Sequence, residues 1–167
     1  MGDKMNGIEI YAIRNRIGLT REELATLIST DTTSVTSEDI EGFENERQEV
    51  NAFIDFAVSE VYEIWDDRIE DSLATIDDIV EEMTSRHNNT PQELQLYIYQ
   101  KIEDFDKAGG QERYRMTWEQ HTAYVTEQFF RVKALIKIEE LPIKVALVPF
   151  TGELHEPTIV SEPPFKE

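Results

Sequence analysis

The sequence contains no cysteine and has few basic side chains. Across 167 residues, 16 Lys and Arg stand against 35 Asp and Glu, which gives a formal net charge of −19. The absence of cysteine excludes thiol catalysis, cysteine-ligated zinc and disulfide bonds, and it fits a reducing compartment. The scarcity of basic side chains argues against a surface that attracts nucleic acid or an anionic membrane at long range.

Long apolar runs are also absent. No stretch approaches the roughly 20 apolar residues of a membrane-spanning helix, and the first thirty residues lack the apolar segment of a secretory signal peptide. We therefore expect a cytoplasmic protein that does not associate with membranes.

Glycine and proline are scarce, and neither occurs between Gly42 and Pro91. Within that stretch, apolar residues recur every three or four positions from Val50 to Met83, which is the spacing of a helix. The stretch is predicted to form one long helix, or two helices with a polar break. The seven glycines of the chain form neither a phosphate loop nor a dinucleotide fingerprint.

Helix signals begin near the N-terminus. Isoleucines at helical spacing predict a first helix over residues 6–17, ending at Gly18. A capping box from Thr20 to Glu23, in which two side chains bond the free N–H groups of a helix start, opens a second helix. The predicted buried face of the second helix comprises Leu24, Leu27 and Ile28.

A third short helix is predicted after a polar loop. Residues 29–37 are mostly hydroxyl side chains, which compete with helical hydrogen bonds. Thr36, with Asp39 at the box position, then marks a helix start. The third helix is predicted from about Ser37 to Asn45, burying Ile40 and Phe43.

The C-terminal part shows mixed signals. Alternating apolar residues predict strands over 93–100 and 143–150, and a capping box at Thr117 predicts a helix between them. Five of the six prolines lie from Pro142 onward, so the tail after Phe150 is predicted to be extended or disordered.

The predicted fold class is mainly α, with a long helix and a C-terminal helical part that holds one or two short β-strands. The predicted domains are three: residues 1–48 form a helix-turn-helix-like domain, 49–140 a helical dimerisation region with a short strand, and 141–167 a strand and the tail.

No pattern of catalytic or metal-binding residues is apparent. Asp104, Asp106 and Gly109 begin a calcium-loop pattern, but Ala108 and Arg115 occupy positions that require oxygen ligands. The three histidines are far apart in the sequence and lack metal-ligand spacing; they are His87, His121 and His155. We expect no enzymatic activity, no cofactor and no metal.

Two groups of residues resemble a known family. Leu19, Thr20, Leu24 and Ala25, followed by Ile40, Phe43, Glu44 and Asn45, resemble the pattern of the lambda-repressor-like, or XRE-type, helix-turn-helix family. Ser29 and Glu46 replace glycines of that pattern. The stretches 5–14, 88–90 and 117–130 are similar to its YdiL-like branch, which includes repressors associated with anti-CRISPR operons. The resemblance covers roughly residues 5 to 135.

The resemblance implies a lambda-repressor-like helical domain followed by a part that pairs two subunits. It implies a sequence-specific DNA-binding transcriptional regulator, a homodimeric repressor that reads a two-fold symmetric duplex site. The implied nucleic-acid-binding residues are Arg14, Arg16, Arg21, Thr33, Ser34, Thr36, Ser37 and Arg47. Turn and cap hydrogen bonds are the alternative role for the hydroxyls, and ion pairs with nearby carboxylates are the alternative role for the arginines.

The charge pattern favours a second hypothesis. From Glu22 to Glu46 the chain has eight acidic residues and no basic one. A carboxylate about 4 Å from a phosphate costs about 1 kcal/mol even at the dielectric constant of water. The chain is therefore alternatively an acidic protein-interaction module, or a DNA mimic, that uses a helix-turn-helix scaffold to bind a basic protein and not DNA.

Overall fold

The computed structural model describes residues 3–85, 92–150 and 158–161. Within these residues it is mainly helical with short strands in the C-terminal part, so the predicted fold class is confirmed. The elements are α1 (Gly7–Ile17), α2 (Arg21–Ile28), α3 (Ser37–Glu44), α4 (Ala52–Ser85), β1 (Gln92–Ile98), α5 (Ile102–Lys107), α6 (Gly110–Tyr114), α7 (Trp118–Ile138), β2 (Ile143–Pro149) and β3 (Thr158–Ser161).

The predicted helix starts are confirmed by their hydrogen bonds. The Glu23 N–H donates to Thr20 Oγ1 at 3.1 Å, and the Thr20 N–H donates to Glu23 Oε1 at 2.7 Å. Thr36 and Thr117 open α3 and α7 with the same reciprocal arrangement. At the other end of α1, Gly18 has a φ of 83°, a left-handed conformation that ends the helix where the sequence predicts.

The chain divides into two compact units, residues 1–68 and 69–167. The domain boundaries predicted after residues 48 and 140 stay predictions. In the first unit, α1, α2 and α3 each bury a side chain completely, namely Ile10, Leu24 and Ile40. The remaining apolar core of this unit comprises Ile17, Leu19, Ala25, Ile28, Val35, Phe43, Val50, Ile54, Val58 and Trp65.

One prediction for the core of the first unit is wrong. The sequence predicts Leu27 on the buried face of α2, but its side chain is exposed, at 56%. Leu24 and Ile28 are four residues apart and take the inward positions. Leu27 is turned about 100° from Ile28 and therefore faces solvent.

The stretch after residue 50 forms one helix. Helix α4 has 34 residues, about 51 Å at 1.5 Å per residue. The single helix settles the choice that the sequence left open between one helix and two. Its buried side chains recur at helical spacing and include Ile54, Val58, Trp65, Ile69, Ile76, Val80 and Met83.

The second unit contains a three-stranded sheet in the order β2-β1-β3. Strands β1 and β2 are parallel, with Leu94 opposite Val145, and the connection between them includes α5, α6 and α7. Leu94 and Leu96 of β1 are buried, as the predicted alternation requires. Their core cluster also contains Ile76, Val80, Met83, Val125, Val132 and Ile143.

Strand β3 was not predicted. Residues Thr158–Ser161 pair antiparallel with β1, with Gln92 opposite Ser161, where the sequence indicated only an extended or disordered tail. The four-residue strand has no alternation long enough to be recognised, and its partner lies more than sixty residues earlier in the chain. Short strands with distant partners are defined by tertiary pairing and not by local sequence.

A membrane span would require a long and apolar helix, and the helices of this chain are amphipathic or acidic on their surfaces. Within the described parts of the chain, none combines the length and the apolar character that crossing a bilayer demands.

A close backbone contact makes Gly7 a test of the first unit. A Cβ at Gly7 would lie 1.7 Å from the carbonyl oxygen of Phe43, so we expect Gly7→Ala to destabilise the protein by about 3 kcal/mol. Gly42→Ala is the matched control, because its Cβ would meet only the exposed side chain of Gln48, which can move. Urea unfolding measures both variants, and equal losses would contradict the close α1–α3 approach.

Candidate nucleic-acid interface

The loop between α2 and α3 is closed by a serine. Ser29 ends α2 with φ −71° and ψ 145°, an extended conformation that any residue adopts. Its Oγ donates to the carbonyl oxygen of Ala25 at 2.7 Å and accepts the Val35 N–H at 2.9 Å. The hydroxyl therefore connects the end of α2 to the start of α3, and this turn does not require a glycine.

Residues 30–34 form the exposed part of that loop. The Thr30 N–H donates to the carbonyl oxygen of Thr33 at 2.8 Å, and the Thr33 N–H donates to Thr30 Oγ1 at 3.0 Å. The structure thus places two of the predicted site residues, Thr33 and Ser34, together on an exposed, internally hydrogen-bonded loop.

Two further predicted site residues, Thr36 and Ser37, begin α3. The Thr36 N–H donates to Asp39 Oδ2 at 2.9 Å, and Thr36 Oγ1 accepts the Asp39 N–H at 3.1 Å. The backbone hydrogen bond from Thr36 is the main reason that the pKa of Asp39 lies below its usual value of 3.8, with burial opposing it. Ser37 Oγ donates to Glu38 Oε1 at 3.1 Å. The cap role that the sequence left open is therefore the one that Thr36 has in the structure.

A buried carboxylate, Glu44, joins α1, α2 and α3. Arg14 of α1 binds it with two hydrogen bonds, Nε to Oε2 at 2.6 Å and Nη2 to Oε1 at 3.0 Å. Arg21 of α2 donates from Nε to Oε1 at 3.0 Å. Arg14 Nη1 also donates to the carbonyl oxygen of Leu19 at 2.9 Å. Arg14, Arg21 and Glu44 therefore form an ion-pair cluster between α1, α2 and α3.

The ion-pair cluster keeps Glu44 ionised. Burial acts to raise the pKa of Glu44, but the hydrogen bonds and the positive charges of Arg14 and Arg21 outweigh it, so the pKa lies below its usual value of 4.5. A buried charge is tolerated only with such partners. The cluster is therefore a structural requirement of the first unit.

A second, exposed carboxylate extends this cluster. Glu41 Oε1 lies 3.8 Å from Arg21 Nη1, and Glu41 Oε2 lies 3.4 Å from Arg47 Nη2. The side chains of Arg21, Glu41 and Arg47 are 38%, 43% and 63% exposed. Ion pairs this exposed contribute little to stability.

Arg16 lies apart from the ion-pair cluster. Its guanidinium carbon is 5.8 Å from the ring centres of both Tyr62 and Trp65 in α4. The geometry is that of a cation–π interaction. Of the four predicted arginines, the structure thus brings Arg14, Arg21 and Arg47 together and places Arg16 elsewhere in the same unit.

The sequence reasoning missed the structural roles of Glu41 and Glu44. For Glu44 a signal was present: it falls four residues after Ile40 and next to Phe43, so it faces inward on α3 and requires a cation. For Glu41 no local signal existed. Its contact with Arg47 depends on Glu46, whose φ of 59° turns the chain back after α3; there the Arg47 N–H donates to the carbonyl oxygen of Gly42 at 2.8 Å.

Three of the four carboxylates on α3 thus have partners within the protein. Asp39 belongs to the helix cap, Glu41 pairs with two arginines, and Glu44 is buried. Glu38 is exposed and accepts only a hydroxyl hydrogen bond among the contacts found for its side chain. The acidic composition of α3 therefore overstates the negative charge that the helix presents to a ligand.

A metal site would require several His, Asp or Glu side chains to converge on one point. Over residues 3–85, 92–150 and 158–161, no group of three or more His, Asp and Glu side chains could hold a metal ion. Two of the histidines considered above, His87 and His155, lie outside the described residues, as does the stretch 88–90.

In the first unit, α2 and α3 each begin with a capping box and are joined by a polar turn. The model of the Aca2/YdiL-like family matches residues 5–134, so the chain belongs to that family. This membership suggests a regulator related to anti-CRISPR-associated proteins. No curated protein matches the sequence.

The ion-pair cluster makes the free energy of unfolding depend on pH. We expect Glu44→Ala to lower the free energy of unfolding by about 3 kcal/mol, because it leaves Arg14 buried without its carboxylate. The pKa of Glu44 is depressed in the folded state, so its contribution is present above the usual pKa of 4.5 and is lost as the pH falls through the lower folded value. Chemical denaturation from pH 7 to pH 3 measures this loss.

The matched control for this prediction is Glu38→Ala, which removes an exposed carboxylate from the same helix. The control should keep both the stability and the acid dependence of the wild type. If the free energy of unfolding of Glu44→Ala fell between pH 7 and pH 3 as steeply as that of the wild type, the role assigned to the ion-pair cluster would be contradicted.

Proposed function

We propose that this protein is a helix-turn-helix transcriptional regulator, a repressor that binds duplex DNA as a homodimer. The observation that carries the proposal is the disposition of charge around α3. Arg14, Arg21 and Arg47 meet only two carboxylates there, Glu41 and Glu44. Within this network three guanidinium groups face two carboxylates, so one positive charge is left in excess at the contacts, although α3 and the chain as a whole are acidic.

The arrangement of α2 and α3 supports this proposal. In helix-turn-helix proteins the N-terminal residues of the second helix contact base edges in the major groove. At the corresponding end of α3, Ser37 and Glu38 follow the exposed loop of residues 30–34. The helix N-terminus also offers N–H groups to a phosphate without adding a charged side chain.

Phosphate contacts fall to the exposed arginines in this proposal. Arg47 has the most exposed side chain of the three arginines near α3, and Arg21 is partly exposed. Arg14 is buried against Glu44 and contributes by positioning α1 and α3. Of the predicted contacts, Arg21, Arg47, Thr33, Ser34 and Ser37 therefore remain in the proposed DNA-binding surface.

Dimerisation is assigned to the chain after residue 50. Phe130 and Ile138 of α7 are 59% and 78% exposed, and apolar side chains of this size are available to contact a second copy. A pair of first units would then read a two-fold symmetric site. The proposal includes a cytoplasmic location and no enzymatic activity or cofactor.

The surface of α4 favours a second candidate function. Nine of its exposed side chains are carboxylates, namely Glu60, Glu63, Asp67, Glu70, Asp71, Asp77, Asp78, Glu81 and Glu82. A field of one sign attracts a basic protein and repels DNA. The second candidate is therefore an acidic interaction module or DNA mimic that uses this helix.

DNA binding is tested by titration against a randomised duplex pool at low and at raised salt. We expect sequence-selective binding that weakens with salt. Arg47→Ala should weaken binding to all duplex sequences. The slope of log affinity against log salt concentration should fall by about one, as expected for the loss of one phosphate contact. Lys107→Ala, which removes an exposed cation from α5, is the control and should bind as the wild type does.

The opposite result is equally informative. If wild-type protein retains no duplex even at low salt, the regulator proposal fails. Retention of a basic protein under the same conditions would then favour the second candidate.

Homodimerisation is tested by sedimentation equilibrium. We expect a molar mass of twice the 19.4 kDa chain at the concentrations that saturate DNA. A monomer at those concentrations would remove the two-fold symmetric site from the proposal and leave a single reading unit.

A further inference from the structure

We propose that Glu41 is a positioning residue that holds Arg21 and Arg47 in the unbound protein and releases them to DNA phosphates. The inference rests on the proposed function, because it concerns how the same surface engages DNA. It assigns to a carboxylate on α3 a role in setting affinity.

The geometry distinguishes Glu41 from its neighbours. Each of its two oxygens faces a different arginine, Arg21 at 3.8 Å and Arg47 at 3.4 Å. Both distances are longer than those of a tight charge-assisted hydrogen bond, which are about 2.7–2.9 Å. Glu41 therefore orients two guanidinium groups without binding either of them closely.

Exposure makes these two ion pairs exchangeable. The side chains of Arg21, Glu41 and Arg47 are 38–63% exposed. Ion pairs this exposed contribute little to the stability of the unbound protein, so little free energy is lost when they break. A phosphate can instead accept two parallel hydrogen bonds from one guanidinium. The exchange of Glu41 for a phosphate is favoured when DNA approaches.

The buried part of the ion-pair cluster remains fixed during this exchange. Arg21 keeps its Nε hydrogen bond to Glu44 at 3.0 Å, and the Glu44 side chain is only 2% exposed. Only Nη1 of Arg21 needs to leave Glu41. Arg21 therefore pivots about a fixed anchor, and little conformational entropy is lost on binding.

A carboxylate in this position also opposes binding. Each phosphate must compete with Glu41, and the carboxylate remains close to the bound strand as a repulsive charge. Replacing Glu41 with a neutral side chain of the same size should therefore strengthen DNA binding.

The test compares Glu41→Gln, Arg47→Ala and the double variant in titrations of the duplex selected from the pool. Glu49→Gln is the matched control, since it removes the same charge from an exposed side chain of the first unit that lies outside α3 and pairs with neither Arg21 nor Arg47. We expect Glu41→Gln to bind DNA about fivefold more tightly, because the two weak ion pairs that compete with phosphate are lost. The slope of log affinity against log salt concentration should become steeper by about one. When Arg47 is also replaced by Ala, the gain in affinity caused by Glu41→Gln should fall to less than half.

Two results would overturn this inference while leaving the regulator proposal intact. One is a gain in affinity for Glu41→Gln no larger than that for Glu49→Gln, which would show a general charge effect. The other is a gain in affinity from Glu41→Gln that is as large in the Arg47→Ala protein as in the wild type. If no variant binds any duplex at low salt, the proposed function and the inference fail together. Thermal unfolding of each variant verifies that the fold is kept.

Discussion

The first unit depends on a carboxylate that is buried between two guanidinium groups. Glu44 faces inward on α3, where an apolar residue would be the ordinary choice, and Arg14 and Arg21 reach it from α1 and α2. Removing a charge from water is costly, and an ion pair offsets that cost only with good geometry. The relative placement of the three helices is therefore restricted to arrangements that satisfy all three hydrogen bonds to Glu44.

This constraint changes how the acidic composition is understood. Side chains that look like a barrier to DNA in the sequence serve instead to cap a helix, to join helices or to orient cations. Net charge describes long-range attraction and repulsion, but contact with a ligand depends on which charges remain exposed. Of the four carboxylates on α3, Glu44 is buried, Asp39 and Glu41 are half-buried with partners inside the protein, and Glu38 is the most exposed.

Much of the fold could be predicted from local signals in the sequence. The capping boxes at Thr20, Thr36 and Thr117 and the stop at Gly18 gave the helix limits, since each depends on hydrogen bonds between residues close in sequence. The alternation of Leu94 and Leu96 located the central strand of the sheet. These features require no knowledge of tertiary structure.

The remainder depended on contacts between distant residues. The partners of Glu44 lie 23 and 30 positions away, and the pairing of Arg47 with Glu41 follows from the left-handed backbone at Glu46. Strand β3 exists only through its ladder with β1. For the candidate site, the family resemblance in the sequence predicts four arginines but not which of them are bound within the protein, because those contacts are made by the tertiary fold.

The strand order of the second unit has a consequence for synthesis. Strand β1 is central, and both of its neighbours, β2 and β3, come later in the chain. Its backbone groups cannot all be paired until β3, Thr158–Ser161, has left the ribosome. The first unit is complete by Arg68 and its contacts are local by comparison, so it can fold while the rest is still being translated. Nascent chains should thus carry a folded first unit beside an unpaired, aggregation-prone strand until β2 and β3 have emerged.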